Sequence, residues 1–310
     1  MAKGQAQEGT RSAVFDIIGR ARVFMGISIV LVAASVVLLA VRGLNLGIDF
    51  TGGTLLDRSF ERPATVAEIR AVLTSRDLAG LGLGRAGIQV SEGGHQAIIR
   101  VPELTSEQIQ LVDAALASRF GAVTDLRTEV IGPVIGKELL RATLLALLIG
   151  LGGILLYVSL RFEYRFATAG ILALVHDALV TLGVFALVQR EVNTPFVAAM
   201  LTVIGYSIND TIVVFDRIRE MLRLHVRQTP AEVANEAILQ TLNRSINTSL
   251  TTLLAVVALY FLGGTTIKDF SLALLIGVIT GTYSSIFIAS PIWVWWRQLG
   301  RRRAATTGAK

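Results

Sequence analysis

Two carboxylic acids stand inside apolar runs, Asp177 in ALVHDALV and Asp210 in GYSINDTIVVFDR, and Arg244 sits at the mouth of the next such run. An ionisable group at bilayer depth costs on the order of 2.5–3.5 kcal/mol even on the gentlest insertion scale, so it implies a partner, a water-filled path or a task. A buried carboxyl resists ionisation, and a nearby arginine favours it. Moving the arginine, or wetting the cleft, would therefore swing Asp210 between charged and neutral. That is the chemistry of a proton carrier.

Polar neighbours gather around these charges. Tyr206, Ser207, Asn209 and Thr211 flank Asp210, and Asn247 and Thr248 follow Arg244. Ser207, Asp210 and Thr211 share one helix face through i+3 and i+4 spacing. His176 precedes Asp177 and reads either as a proton relay or as a satisfied helix contact. Thr280, Thr282, Tyr283, Ser284 and Ser285 supply a fourth polar face. Lipid would not tolerate such faces, so they are expected to line a common interior. Gly277 and Gly281 form a GxxxG pair that reads as close helix contact.

The elements that must hold these residues are membrane spans. The 310 residues are 53% hydrophobic and 17% charged, with mean hydropathy +0.62. A soluble domain carries roughly 25% charged residues. Six stretches suffice to cross a core of about 30 Å, near 22–41, 138–160, 166–188, 196–216, 246–264 and 270–296. The first is longer than a signal-peptide core of roughly 7–15 residues and lacks a small-residue cleavage site, so it reads as an uncleaved helix.

Basic residues fall on one side of this topology: Lys3, Arg11, Arg20 and Arg22, then Arg161 and Arg165, then the stretches from Arg217 and from Arg297. By the positive-inside rule both termini are cytoplasmic. This bias explains the net charge of +6 without nucleic acid. With no cysteine and only His95, His176 and His225, disulfides and thiolate chemistry are excluded and no structural zinc site is expected.

The region 43–137 reads as an outer-side domain. Thr65 with Glu68, and Thr105 with Gln108, are capping boxes that open two helices. Strand-like alternation at 54–60, 88–90, 97–101 and 126–130 completes a β-α-β-β-α-β order, the split βαβ or ferredoxin-like arrangement. The chain thus divides into an N-terminus and first span (1–42), this domain (43–137), spans two to six (138–296) with a cytoplasmic loop at 217–245, and a basic tail (297–310). Within the loop, Thr229-Pro-Ala-Glu232 starts a helix whose stripe Val233, Ala234, Ala237, Ile238 and Leu242 reads as packing on the chain's own helices, or as a docking face.

GIDFTGG at 47–53, His176–Asp177, GYSINDTIVVFDRIRE at 205–220, NRSINTSLTT at 243–252 and TGTYSSIFIASP at 280–291 together resemble the SecF side of the SecD/SecF family. The resemblance runs in order through nearly the whole chain. It implies a place in the RND superfamily, with six transmembrane helices and an extracytoplasmic ferredoxin-like domain after the first. It implies a non-enzymatic subunit in the inner membrane that pairs with SecD and associates with the SecYEG channel, and it allows YidC and YajC as further partners. The translocating preprotein and the lipid bilayer complete the partner set.

The task implied is use of the proton-motive force to promote late steps of preprotein export, with no cofactor. A sodium gradient would suit a carboxylate among hydroxyls as well. The family's essential acid falls on Asp210 and its essential arginine on Arg244, while Asn247 departs from the apolar residue that relatives often carry. Two other readings of the residues stay open: half of a small-molecule exporter, and a passive scaffold whose charges lock helices.

Overall fold

The computed structural model describes residues 16–307 apart from 92, 226 and 265, with side chains through residue 299. Lys3, Arg11 and the end of the tail (308–310) lie outside the described residues, as do the side chains of Arg301, Arg302 and Arg303. Along the chain come helix α1 (Ala21–Arg42), the short strand β1 (Asn45–Leu46), a helical turn α2 (Ile48–Thr51), β2 (Gly53–Phe60), α3 (Val66–Leu73), β3 (Gly87–Val90), β4 (Gln96–Val101), α4 (Ser106–Phe120) and β5 (Val123–Ile131). Then follow α5 (Pro133–Arg161), α6 (Tyr164–Val188), the short β6 (Glu191–Val192), α7 (Thr194–Leu224), α8 (Pro230–Leu262), α9 (Lys268–Ser284) and α10 (Ser290–Thr307).

Among the described residues six helical segments are long and apolar enough to cross a membrane: α1, α5, α6, α7, α8, and the run Lys268–Leu299. They coincide with the six expected spans. The sixth is interrupted by one wide π turn at Ser285–Ala289. Pro291 explains it, because its ring clashes with the carbonyl four residues back and it has no N–H to donate. The Ser290 hydroxyl fills in, donating to the Ser285 carbonyl at 3.3 Å.

The segments expected as a loop helix and a fifth span form one continuous helix, α8, of 33 residues. No Gly or Pro interrupts 231–262, so nothing ends the helix at the boundary between water and lipid. Its N-terminus starts where expected, with Pro230 at the first position, and Thr229 and Glu232 form a capping box in which Thr229 accepts from the Glu232 amide. The stripe Val233, Ala234, Ala237 and Ile238 is buried in a core with Phe215, Ile218 and Trp293. It therefore packs on the chain's own helices.

The chain divides into two compact units, Leu46–Ala146 and the remainder. In the first, β2 pairs antiparallel with β4 and with β5, and β3 pairs antiparallel with β4. The sheet order is β3-β4-β2-β5, so both β-α-β crossovers straddle a strand of the other. Both capping boxes are formed as expected. The Thr65 hydroxyl bond and the Thr65 amide hold Glu68 below the usual carboxylate range. Ile69, Leu73, Val112, Leu116 and Phe120 close over Leu56 and Ile99 as the unit's core. Gly52 and Gly53 carry φ of +73° and +127°, values that L side chains rarely adopt, which explains the glycine pair at the start of β2.

Arg58 is fully buried in this unit and clamped by acids. Its Nε and Nη2 donate to the two Asp113 oxygens at 2.7 and 3.1 Å, and Nη1 donates to Asp125 at 2.7 Å. Replacing Arg58 by Met is expected to destabilise the unit by about 3 kcal/mol, the low end for a broken buried pair because both acids keep some water. Calorimetry of the full chain in detergent measures it, and an unchanged Tm would contradict the clamp's role.

Candidate functional site

The site lies in the helical unit, where α7 meets α6, α8 and α9. Two glycines make the approach close. A Cβ on Gly277 would fall 2.2 Å from Val203 Cγ2, and one on Gly281 would fall 2.9 Å from Ser207 Cβ. Only a bare helix face lets α9 sit this near α7, as the GxxxG spacing suggested.

Asp210 is buried on α7. Its Oδ1 accepts from the Ser245 hydroxyl of α8 at 2.6 Å, while its Oδ2 is buried with no hydrogen-bond partner among the described residues. A buried oxygen left unpaired costs about 1–3 kcal/mol, so this carboxyl is held in a position that wants a proton, a water or a cation. Arg244, one residue from Ser245, acts on Asp210 through its charge. Its own side chain is exposed and lines a cleft of about 500 Å³ with Asp216, Arg217, Glu220, Gln240 and Thr241. An exposed arginine beside a buried acid can move or rehydrate without unpacking a core.

Asp177 is held quite differently. Its Oδ2 accepts from Ser207 of α7 at 2.6 Å and from Ser284 of α9 at 2.7 Å, and its Oδ1 lies 3.0 Å from His176 Nδ1. Both oxygens are satisfied and three helices are joined. The far ring nitrogen of His176, Nε2, is buried without a partner among the described residues. Thr211 extends the network, donating to the Ser207 carbonyl at 3.1 Å and lying 2.9 Å from the Ser285 hydroxyl. Tyr206 donates to Ser249 at 3.3 Å, and Ser249 lies 2.6 Å from Thr282. These bonds tie α7, α8 and α9 together one turn from Asp210.

The structure thus gathers Asp177, His176, Tyr206, Ser207, Asp210 and Thr211, with Arg244 at the edge. It does not gather Asn209, Asn247 or Thr248, whose side chains are exposed. The reason is helical phase. Thr241, Ser245 and Ser249 repeat every four residues and face inward, whereas Arg244, Asn247, Thr248 and Thr251 fall on the outward face. Thr248 spends its hydroxyl on the Arg244 carbonyl at 2.8 Å. Ser245, the direct partner of Asp210, is missing from the residues singled out by sequence. Its signal was the four-residue spacing to Thr241 and Ser249.

Known proteins are similar to this chain over most of its length. Residues 112–299 match the family described as protein export membrane protein SecD/SecF, C-terminal, and residues 37–64 match the SecD/SecF GG motif. The chain is 43% identical over 304 residues to the protein translocase subunit SecF of Alicyclobacillus acidocaldarius, covering 96% of this chain and 97% of that one. It is 41% identical to the protein translocase subunit SecDF of Thermus thermophilus, covering 94% of this chain but only 39% of the longer relative. The crystal structure of Thermus SecDF, a translocon-associated membrane protein, superposes with a TM-score of 0.84 at 41% identity, over 92% of this chain and 39% of that one. The chain is a multi-pass membrane protein and belongs to the SecD/SecF family of protein export membrane proteins, on its SecF side.

Proposed function

We propose that this chain is the SecF subunit of a SecDF complex, and that it uses the proton-motive force to promote late steps of preprotein export through the SecYEG channel. The observation that carries the reading is the half-satisfied carboxyl of Asp210, buried beside a movable arginine. A proton entering from the outer side neutralises Asp210 and leaves to the cytoplasm as Arg244 shifts. Each charge crossing 100 mV yields about 2.3 kcal/mol. A shift of about 5.5 kcal/mol takes a two-state population from 1:99 to 99:1, so roughly two or three protons suffice for one rearrangement. The unit Leu46–Ala146 is then the extracytoplasmic ferredoxin-like module, and both termini are cytoplasmic. Asp177, with every oxygen satisfied, holds α6, α7 and α9 together rather than carrying the proton.

The outward stripe of Arg244, Asn247, Thr248 and Thr251 supports a second membrane subunit, because lipid would not accept it bare. SecD is the natural occupant, since the Thermus relative is named SecDF and its chain extends well beyond the part matched here.

The test uses vesicles holding this chain with SecD and the channel. Collapsing the pH gradient and potential with a protonophore is expected to abolish the ATP-independent part of export, while a sodium ionophore leaves it intact. The opposite pattern means sodium coupling, and insensitivity to both means a passive scaffold.

A further inference from the structure

A groove of about 610 Å³ runs between α1, α8 and α9 within the helical unit. Leu242, Ile246, Leu250 and Leu253 recur every three or four residues along α8 and form one wall. Phe24 of α1, Phe287 and Tyr283 form the floor, with successive ring centroids 4.2 and 5.1 Å apart. The hydroxyls that reach the groove are already engaged. Ser249 lies 2.6 Å from Thr282, Thr282 donates to the Val278 carbonyl at 2.7 Å, and Tyr283 donates to the Phe24 carbonyl at 2.9 Å. A bound water needs about two to four polar partners, so the groove favours an apolar occupant.

Its dimensions are those of one lipid chain. At a rise of about 1.5 Å per residue, the wall from Leu242 to Leu253 climbs about 16 Å. One leaflet of a hydrocarbon core of about 30 Å is about 15 Å deep. Ile246 and Leu250 are half-exposed, so an acyl chain can enter from the side without unpacking a core. Where α1 begins, the lining changes from apolar to charged, with Asp16 and Arg20 both exposed. The Arg20 amide donates to the Asp16 carbonyl at 3.4 Å, one helical turn. Side chains so spaced stand about 5–6 Å apart at their Cβ atoms. The groove therefore offers an anion and a cation side by side at headgroup level.

We propose that the groove holds one acyl chain of a phosphatidylethanolamine, with the headgroup phosphate on Arg20 and the ammonium on Asp16. That headgroup carries its two charges on either side of a two-carbon link, which suits partners one helical turn apart. Asp16 accepts from the Gly19 amide through Oδ1 at 2.7 Å, and its second oxygen takes the ammonium. Such charge-assisted bonds are the strong ones, and arginine's planar fork suits a phosphate. A choline nitrogen has no N–H to give Asp16, and the glycerol of phosphatidylglycerol has no charge to offset it. The seated chain also covers the Ser249–Thr282 pair, whose network with Tyr206 lies one turn from Asp210.

Native mass spectrometry of the full chain, released from nanodiscs of equal parts phosphatidylethanolamine, phosphatidylcholine and phosphatidylglycerol, tests the assignment. The wild type is expected to retain phosphatidylethanolamine over phosphatidylcholine roughly threefold, the scale of one exposed ion pair. Arg20→Gln is expected to lower retention of all three lipids roughly fivefold. Asp16→Asn should level phosphatidylethanolamine with phosphatidylcholine. Ile246→Trp with Leu250→Trp fills the groove from its half-exposed side and should displace the lipid altogether. Equal retention of phosphatidylethanolamine and phosphatidylcholine by the wild type, or a preference for phosphatidylglycerol, overturns the proposal without any variant needing to fold. So does undiminished retention in the double tryptophan variant. Lipid that is lost when the chain is released together with SecD also overturns it, and assigns the groove to the partner subunit.

Discussion

Replacing Asp177 by alanine is expected to strip the helical unit of its central lock and to leave little assembled protein in the membrane. Three side-chain donors lose their acceptor at once, from His176, Ser207 and Ser284. Ser284 can fall back on the Gly281 carbonyl at 3.2 Å, but the Ser207 hydroxyl and the His176 ring have no such alternative among the described residues. Interhelical hydrogen bonds in membranes average only about 0.6 kcal/mol. A carboxylate at the junction of three helices is the upper case, and about 3 kcal/mol is expected here. The measurement is the yield and Tm of the detergent-purified chain. Normal yield and Tm in Asp177→Ala would show that the junction is not structural and would return Asp177 to the candidates for proton transfer.

Replacing Asp210 by asparagine is expected to do the reverse. The side chain keeps its shape and still accepts from Ser245 through its remaining oxygen, so folding and assembly should survive. What is lost is the ability to alternate between charged and neutral. One charge fewer crossing the membrane forfeits about 2.3 kcal/mol per 100 mV, a bias of roughly fiftyfold. Gradient-driven export by Asp210→Asn should therefore fall to the level of wild-type vesicles treated with protonophore, with complex recovery unchanged. A loss of recovery in parallel with export would place Asp210 among the structural locks.

The contrast between these two acids is what sequence alone did not separate. Both sit in apolar runs, and periodicity places each on a helix face without saying what lies opposite. Asp177 meets Ser207 and Ser284 from helices 30 and 107 residues away in sequence, pairings decided by how α7 and α9 approach across Gly277 and Gly281. The same limit explains Asn209, Asn247 and Thr248. Each is polar and near the right charge, yet one step around a helix turned each outward. Spacing would have found Ser245, since it continues a buried four-residue repeat.

Local signals were read more fully. The capping boxes at Thr65 and Thr105 depend only on residues three apart and formed as expected, and a third formed at Thr229. The order of strands and helices in the unit Leu46–Ala146 followed from alternation and capping boxes, and the sheet order completed it. The join between the loop helix and the fifth span was missed because polarity changes there while helical geometry does not. Composition reports the solvent; only a breaker residue reports the end of a helix.

The central claim is that a proton halts at Asp210 on its way through the membrane and that its passage moves preprotein. Vesicles containing the assembled complex, loaded with a pH-sensitive dye and a preprotein arrested late in export, allow both events to be followed together after a pH jump. The account expects lumenal pH change and preprotein release to rise together in the wild type, and both to be absent in Asp210→Asn and in Arg244→Met. Proton movement and release that persist in both variants would contradict it.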